Sequence, residues 1–421
     1  MRRRSIVLVI GGVALVATLL VLASGSADSP PPVDDRSPPP VADAPVPRRT
    51  PVIPAPADPE PVGEVDEPGT LLSMEPYALP AATLVGQGVA TFLLQYVTQG
   101  PGGVDAKSTG LLFVPEDTAG EPVPLLAVGH GSTGIAPECA PSLSPRPLAT
   151  MPGVAAALAE GWAVVATDYV GLGTPGPHPY LVGDASGSAI LDSITAAEAA
   201  IDVDAERIAI WGYSQGGHAA LHAADAAERL GRPPVAGVVT FAPITDLGGI
   251  VEESHGTTLG TVFLVATAVS WSEVYDDLEL SDVVPDQDLE IARALARRCL
   301  DPASIPMVLL ESLVLRGGLV HPARVPDGAW DPYIVRNTPS GRSGAPILVF
   351  HGARDEVVSP AITEVHVNDR CARGDDVELR IVPFAGHLTL VSQVVGAAVA
   401  WTRLRFDGEP VEDACPGRWG G

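Results

Sequence analysis

The sequence predicts an α/β fold in which helices flank a mostly parallel central sheet and a helical cap is inserted late in the chain. Short apolar runs alternate with segments of helical periodicity, a pattern typical of parallel strands joined by helices. The alternation stops between about Thr245 and Thr338, where apolar and charged segments of helical character indicate the cap. A chain of 421 residues is long enough for one large domain with such an insertion.

The predicted sheet opens with two strands, Thr91–Gln99 and Gly110–Val114, which pair across a turn at Gly100-Pro101-Gly102-Gly103. Later apolar runs predict six more strands: Pro124–Val128, Ala163–Ala166, Ile208–Trp211, Val235–Phe241, Pro346–His351 and Val377–Val382. Helices are predicted at Gly153–Glu160, Ser188–Ile201, His218–Leu230 and Leu388–Leu404. The predicted cap helices lie within Thr257–Val269, Ser281–Arg298 and Pro302–Gly318.

The N-terminal segment has the pattern of an export signal. Three arginines, Arg2 to Arg4, precede an apolar run from Ile6 to Ala23, and small residues follow up to Ala27. Residues 1–27 are therefore predicted to be a signal peptide, or a signal anchor if they are not cleaved. Residues 28–70 are rich in Pro, Ala, Asp and Val, which favours a disordered stalk before a folded domain over residues 71–421. The protein is expected to be secreted, or anchored facing outside, with membrane or cell-wall association through this N-terminal segment.

Composition limits the classes of partner. Acidic residues outnumber basic ones 51 to 25, giving a formal net charge of −26. Nucleic-acid binding needs clustered Lys and Arg, so no nucleic-acid partner is predicted. The cysteines are even in number and show no C-x-x-C spacing, which favours two disulfides and leaves three pairings open. They are Cys139, Cys299, Cys371 and Cys415. We expect a monomer.

A Gly-x-Ser-x-Gly pattern is the most informative motif. The apolar run Ile208–Trp211 ends at Gly212-Tyr213-Ser214-Gln215-Gly216, and sequence of helical character follows. This context is typical of a nucleophile elbow, a tight turn that presents a serine hydroxyl between a strand and a helix. Glycines flank the serine because side chains at those positions would collide with neighbouring elements. Ser214 is therefore the predicted nucleophile.

A serine nucleophile needs a base, and the base needs a carboxylate to orient it. The expected chain order is Ser, then the acid, then His. His387 follows the last predicted strand on a loop and is the predicted base. Asp355 follows the strand residues Ile347–Phe350 and is the preferred acid, while Asp246 and Glu356 are the alternatives. The other histidines, including His178, His218, His222 and His366, are expected to be structural.

An oxyanion hole needs backbone N–H groups directed at the developing negative charge. The N–H of Gln215, next to the nucleophile, is one predicted donor. The other is expected from the loop Gly129-His130-Gly131-Ser132-Thr133-Gly134, with Ser132 and Thr133 as candidates. An ordinary glycine turn is the alternative for this loop. Such a site needs no metal or organic cofactor, and none is predicted.

Three sequence blocks resemble the secretory lipase family, which includes fungal lipase A type enzymes and exported actinobacterial lipases. They are residues 129–134 with Cys139-Ala140-Pro141-Ser142, residues 168–176, and residues 212–217. The resemblance covers roughly residues 70–415. It implies an α/β-hydrolase core, a cap between the sixth and seventh strands, and hydrolysis of carboxylic esters including triacylglycerols. It also implies the disulfides Cys139–Cys299 and Cys371–Cys415. The fungal enzymes carry an aspartate at the oxyanion position, where this chain has Ser132-Thr133.

The expected reaction is acyl transfer to Ser214 followed by hydrolysis, with a lipid or small ester as substrate. The apolar cap runs Thr257–Val269 and Pro302–Leu315 either line an acyl channel or form the cap's own core. Three alternatives remain open. The first is a short-chain carboxylesterase, the second is a serine peptidase or acyltransferase on the same scaffold, and the third is a surface-binding homologue without activity.

Overall fold

A single mixed sheet organises the part of the chain described by the computed structural model. The described residues are 67–80, 88–116, 120–232, 235–301, 304–315, 319, 328–411 and 415. The predicted signal segment and nearly all of the predicted stalk lie outside these ranges. The last predicted stalk residues already pair with the sheet, because Gly69 N–H donates to Val97 O and Val97 N–H donates to Thr70 O, both at 2.9 Å. No helix in the described ranges is long and apolar enough to cross a membrane.

The sheet contains nine described strands in the order β1-β2-β3-β5-β4-β6-β7-β8-β9. They are β1 (Leu71–Pro76), β2 (Val89–Gln99), β3 (Asp105–Pro115), β4 (Val123–Gly129), β5 (Ala163–Thr167), β6 (Val203–Tyr213), β7 (Gly237–Phe241), β8 (Ile347–Gly352) and β9 (Val377–Val382). The first three strands and β5 pair antiparallel. The remaining pairs, from β5 through β9, are parallel, as the alternation of strands and helices predicts. The predicted hairpin is present, with Gln99 opposite Asp105.

Helices cover both faces of the sheet, and a group of them forms the cap. They are α1 (Val154–Ala159), α2 (Gly183–Ala200), α3 (Gln215–Ala226), α4 (Leu247–Ser254), α5 (Thr258–Val274), α6 (Leu289–Ala296), α7 (Ile305–Ser312), α8 (Asp331–Arg336), α9 (Pro360–Ala372) and α10 (Leu390–Phe406). Along β6, Ile208 and Ile210 join the core beneath α2 and α3, whereas Ala209 and Trp211 join the core beneath α1 and α10. This alternation follows from the two-residue period of a strand.

The cap consists of helices α4 to α8, which lie between β7 and β8. The predicted position between the sixth and seventh strands differs by one because β1 was not predicted from the sequence. The cap has its own core, in which Trp271 stacks on Trp330 with ring centroids 6.2 Å apart. Disulfides join Cys139 to Cys299 and Cys371 to Cys415, which is the pairing that the family resemblance implies. The first of them ties the loop after β4 to the cap.

Candidate active site

Ser214 lies on a sharp turn between β6 and α3. Its φ of 55° and ψ of −115° are unfavourable for a residue with a side chain and cost on the order of 1–3 kcal/mol. The turn is held by a hydrogen bond from Ser214 N–H to Phe241 O at 2.9 Å. A Cβ on Gly216 would lie 2.0 Å from Gly129 O, and one on Gly212 would lie 2.0 Å from Gly216 O. Both positions therefore require glycine.

His387 lies between Ser214 and Asp355. Its Nε2 is 3.0 Å from Ser214 Oγ, and its Nδ1 is 2.8 Å from Asp355 Oδ2. The three side chains come from the turn after β6, the loop after β8 and the short 3₁₀ helix after β9, and all three are buried. Because Asp355 accepts the hydrogen of Nδ1, Nε2 is free to accept the hydroxyl hydrogen of Ser214.

Hydrogen bonds surround the Asp355 carboxylate. Its Oδ1 accepts the N–H groups of Val357 and Val358 at 2.9 and 2.8 Å. Its Oδ2 lies 3.3 Å from Nε2 of His351, which also donates to Val358 O at 2.9 Å. Burial raises the pKa of Asp355, but the hydrogen bonds from His351 and His387 lower it by more. The pKa therefore lies well below its usual range, and the carboxylate is ionised at neutral pH.

The two alternative acids occupy other positions. Glu356 Oε2 accepts the backbone N–H of His387 at 3.3 Å, and Tyr213 donates its hydroxyl hydrogen to His387 O at 3.2 Å. The backbone of His387 is thus held on both sides. Asp246 is exposed and caps α4, accepting the N–H of Gly248 at 2.9 Å. Sequence reasoning did not identify His351 or Tyr213, since their contacts depend on which strand ends are neighbours in space.

The Gly129–Gly134 loop packs directly against the elbow, because Gly129 is opposite Gly212 in the β4–β6 pairing. Ser132 Oγ lies 2.7 Å from Tyr180 Oη. Thr133 O accepts the N–H of Leu300 from the cap at 2.8 Å, and Thr133 Oγ1 is buried without a hydrogen-bond partner among the described residues. The loop is therefore fixed beside Gln215, the residue that begins α3.

Three of the histidines that were predicted to be structural, His218, His222 and His366, lie in buried hydrogen-bond networks. His218 and His222 contact the same carbonyl oxygen, that of Asn337, at 2.7 and 3.0 Å. His366 accepts a hydrogen bond from Arg370 Nε at 2.9 Å. Burial lowers the pKa of His218, His222 and His366 to about 3, 4 and 3. His178 differs, because it contacts Gln215 in the elbow itself.

Ser214 borders a cavity of about 900 Å³, a volume that includes open solvent at its mouth. The walls are mainly apolar and come largely from the cap, including Leu247, Ile250, Phe263, Leu264, Trp271 and Trp330. The apolar run Thr257–Val269 thus serves both alternatives: Phe263 and Leu264 line the cavity, whereas Val262 and Val265 belong to the cap core. In the described ranges, no group of three or more His, Cys, Asp and Glu side chains has the geometry of a metal site.

The second apolar cap run contributes to the cap core rather than to the cavity wall. Val308 and Leu315 are buried in the core around Trp271. Met307, Leu310, Leu313 and Val314 are instead exposed.

Comparison with known proteins gives a consistent set of relatives. A probable inactive lipase of Mycobacterium tuberculosis is 27% identical over 366 residues, covering 82% of this chain and 80% of the relative. Lipase A of Arthroderma benhamiae is 24% identical, covering 95% and 88%. Among solved structures, lipase A of Candida antarctica matches with a TM-score of 0.68 at 20% identity, covering 83% and 84%. The rice cell wall degrading esterase LipA of Xanthomonas oryzae matches with a TM-score of 0.63 at 20% identity, covering 82% and 97%.

The structural similarity supports the α/β-hydrolase fold that the sequence predicts. The sequence model of secretory lipases matches residues 149–314 and 335–414, together more than half of the chain. These matched residues include Ser214, Asp355 and His387. The chain belongs to the secretory lipase family.

Proposed function

We propose that this protein is a serine hydrolase of carboxylic esters, of the triacylglycerol lipase type, that acts outside the cytoplasm. The observation that supports this proposal most directly is the hydrogen-bonded chain from Ser214 through His387 to Asp355. Ser214 Oγ is 3.0 Å from His387 Nε2, and His387 Nδ1 is 2.8 Å from Asp355 Oδ2. Family membership supports the reaction class, and the relatives include a secreted triacylglycerol lipase of Malassezia furfur, 27% identical over 343 residues.

In the proposed reaction, Ser214 Oγ attacks the ester carbonyl carbon while His387 Nε2 takes the hydroxyl proton. Asp355 stabilises the resulting imidazolium. The tetrahedral intermediate collapses, the C–O bond to the alcohol breaks, and His387 gives its proton to the departing alcohol. Water then attacks the acyl-enzyme with His387 again as base, which releases the fatty acid and restores Ser214.

The negative oxygen of the intermediate needs donors that are already in place. We assign one to the backbone N–H of Gln215, which follows the nucleophile at the start of α3, where the helix dipole also favours negative charge. The second comes from Ser132 or Thr133 in the loop fixed beside the elbow. The Thr133 hydroxyl is buried and has no hydrogen-bond partner in the described chain.

The first test is replacement of the nucleophile. Ser214→Ala is expected to abolish hydrolysis of a p-nitrophenyl ester and labelling by a fluorophosphonate probe, because no activated hydroxyl remains. Ser392→Ala removes an equally small hydroxyl from an exposed position on α10 and serves as the control. Ester hydrolysis that persists in Ser214→Ala would exclude the assignment.

The second test addresses the acyl group. The apolar cavity beside Ser214 predicts faster turnover of octanoyl and palmitoyl esters than of acetyl esters, since longer chains bury more apolar surface. Thr267→Phe adds a ring to the cavity wall and is expected to reduce turnover of long chains selectively. Val335→Phe, at a residue that is 72% exposed, is the control. A steep preference for acetyl or butyryl esters would instead identify a short-chain carboxylesterase.

A second candidate follows from one comparison. The similarity to a probable inactive lipase raises the alternative of a homologue that keeps the fold without the reaction. Absence of fluorophosphonate labelling in the wild-type protein would support that alternative. Cleavage of peptide substrates in preference to esters would support a peptidase on the same scaffold.

A further inference from the structure

A three-residue segment, His178-Pro179-Tyr180, connects the cap to the elbow. It lies in the loop that joins β5 to α2, and we refer to it as the bridging segment. The side chains of His178 and Tyr180 are each only 1% exposed. Neither side chain takes part in the row of groups from Ser214 to Asp355, so the reaction described above leaves their burial and their polar contacts unexplained.

On one side, the cap helix α5 fixes the backbone of the bridging segment. Ser270 Oγ donates to His178 O at 2.7 Å and accepts the N–H of Tyr180 at 2.9 Å. Trp271 Nε1 donates to Tyr180 O at 2.9 Å. Ser270 and Trp271 are themselves fully buried. Two successive cap residues thus make three hydrogen bonds to this segment in a site without competing water.

On the other side, His178 holds the side chain of Gln215. The Nδ1 of His178 is 2.8 Å from Val170 O and must carry the hydrogen, because a carbonyl only accepts. Nε2 is therefore an acceptor, and Gln215 Nε2 donates to it at 3.1 Å. Burial lowers the pKa of His178 to about 4, which keeps Nε2 free of a proton at neutral pH. The backbone N–H of the same Gln215 is the proposed first oxyanion donor.

Tyr180 makes the matching contact with the opposite loop. Its Oη is 2.7 Å from Ser132 Oγ. Burial raises the pKa of Tyr180 to about 12, so the phenol keeps its hydrogen. When Tyr180 donates that hydrogen to Ser132, the hydroxyl hydrogen of Ser132 is free to point at a second acceptor. Ser132 is one of the two candidates for the second oxyanion donor.

We propose that His178 and Tyr180 are positioning residues that hold both sides of the oxyanion hole in place against cap helix α5. The inference rests on the proposed function. It makes the cap part of the apparatus that stabilises the tetrahedral intermediate, in addition to its contribution to the cavity wall. Loss of a contact in the bridging segment should then lower kcat and leave KM nearly unchanged, because the oxyanion forms only after the substrate has bound.

The decisive variant is Tyr180→Phe, which removes one hydroxyl group. Direct loss of an oxyanion donor costs about 10²–10³-fold in kcat, and we expect about 10-fold for loss of the group that orients it. Tyr275→Phe is the matched control, because Tyr275 is also a buried tyrosine near Trp271, and its hydroxyl accepts a hydrogen bond from Asn337 Nδ2. Both variants should lose similar thermal stability, and only Tyr180→Phe should lose kcat.

Three further measurements distinguish a positioning role from a packing role. Ser132→Ala combined with Tyr180→Phe should be no slower than Ser132→Ala alone, because Tyr180 acts through Ser132. Ser270→Ala, which disturbs the bridging segment from the cap side, should also lower kcat. For each variant, affinity for a trifluoromethyl ketone, which forms a tetrahedral adduct with the nucleophile, should fall in proportion to kcat.

The outcomes distinguish this inference from the function on which it rests. A wild-type protein that fluorophosphonate does not label would refute both. A labelled wild type whose Tyr180→Phe and Ser270→Ala variants lose thermal stability but keep wild-type kcat and inhibitor affinity would refute the positioning role alone. Full additivity of Ser132→Ala and Tyr180→Phe in kcat would also refute it, because the two hydroxyls would then act independently.

Discussion

Three hydrogen bonds and one close polar contact distinguish the Asp355 carboxylate from the two alternative acids. Val357, Val358 and His387 donate to Asp355, and His351 Nε2 lies 3.3 Å from it, so its negative charge is stabilised although the side chain is buried. Among the described residues, Asp246 accepts the N–H of Gly248 at an exposed helix end, and Glu356 accepts the backbone N–H of His387. The environment of Asp355 therefore maintains both its charge and its orientation.

Replacing this carboxylate by an amide tests its contribution. Asp355→Asn is expected to lower kcat by about 10⁴-fold, because an amide in this position no longer fixes the hydrogen of His387 on Nδ1. The measurement is kcat for a p-nitrophenyl ester at neutral pH. Asp246→Asn, the same change at the exposed alternative, should stay within about 2-fold of wild type. A drop in Asp246→Asn similar to that in Asp355→Asn would reverse the assignment.

Wild type and Asp355→Asn should also differ in how their stability depends on pH. The folded-state pKa of Asp355 lies below the value of about 3.9 in the unfolded chain, so the stability that the ionised carboxylate contributes is present above pH 4. It is lost as the pH falls toward the folded-state pKa. The difference in unfolding free energy between wild type and Asp355→Asn should therefore be constant above about pH 5 and shrink below pH 4, as urea unfolding would measure.

Site residues that follow a recognisable sequence pattern could be predicted, whereas those that depend on neighbours in space could not. Ser214, Asp355 and His387 each follow a strand end, and those strand ends meet at one edge of a parallel sheet. His351 and Tyr213 carry no pattern of their own. Their relation to Asp355 and His387 exists only after β6, β8 and β9 have been placed side by side.

The elbow around Ser214 leaves no room for a side chain at its flanking glycines. Gly216 lies in the first turn of α3, and a Cβ there would overlap Gly129 O, whereas Gly396 in the exposed part of α10 has nothing within 4 Å of its missing Cβ. Gly216→Ala should therefore lower the unfolding free energy by more than about 2 kcal/mol. Gly396→Ala should raise it by about 0.5–1 kcal/mol. Thermal denaturation compares the two, and equal effects would contradict the predicted backbone clash.

Outside the cap, strand β1 and helix α9 were absent from the sequence prediction, each for a different reason. Strand β1 has no fully buried residue, so the alternation that identifies a half-buried strand is weak. Helix α9 does have a buried stripe with helical spacing, but most of it is polar: Thr363, His366, Val367 and Arg370. Arg370 is buried because Asp225 and Asp375 pair with it at 2.8 and 2.9 Å. Apolar periodicity cannot reveal a helix that is held by ion pairs.

At the scale of the whole molecule, four buried histidines make the fold less stable in acid. His178, His218, His222 and His366 have folded-state pKa values of about 3 to 4, whereas an unfolded histidine titrates near 6.5. Between these pH values the unfolded chain binds more protons at these positions, so each of them makes the fold less stable as the pH falls. Asp192 acts in the opposite direction, because burial raises its pKa to about 6.

The variant His366→Gln tests how much one of these histidines contributes to the pH dependence of stability. His366→Gln keeps an acceptor for Arg370 Nε but does not titrate. Between pH 6 and pH 4, wild type should therefore lose stability relative to the variant by about 1.4 kcal/mol per pH unit, the value for one proton. Urea unfolding across this range provides the measurement. Parallel stability curves for the two proteins would show that His366 is not held neutral.

The order of strands and helices and the position of the cap could be predicted best from the sequence. The strand-helix alternation and its interruption at about 245–338 come close to the observed cap helices at 247–336, because burial on both faces of a parallel sheet leaves a strong apolar signal. Cap packing was less predictable, since neighbouring apolar residues on α5 divide between the cavity wall and the cap core. Their division depends on the orientation of the helix over the sheet.

The disulfide from Cys139 to Cys299 has a consequence for a molecule exposed to proteases. It closes a covalent ring that contains Ser214, the bridging segment and α5, while the Cys371–Cys415 ring contains His387. A single peptide-bond cut inside either ring opens the ring without releasing a fragment. A nicked molecule therefore keeps its full mass until a reductant is added, and its fragments diffuse as one body.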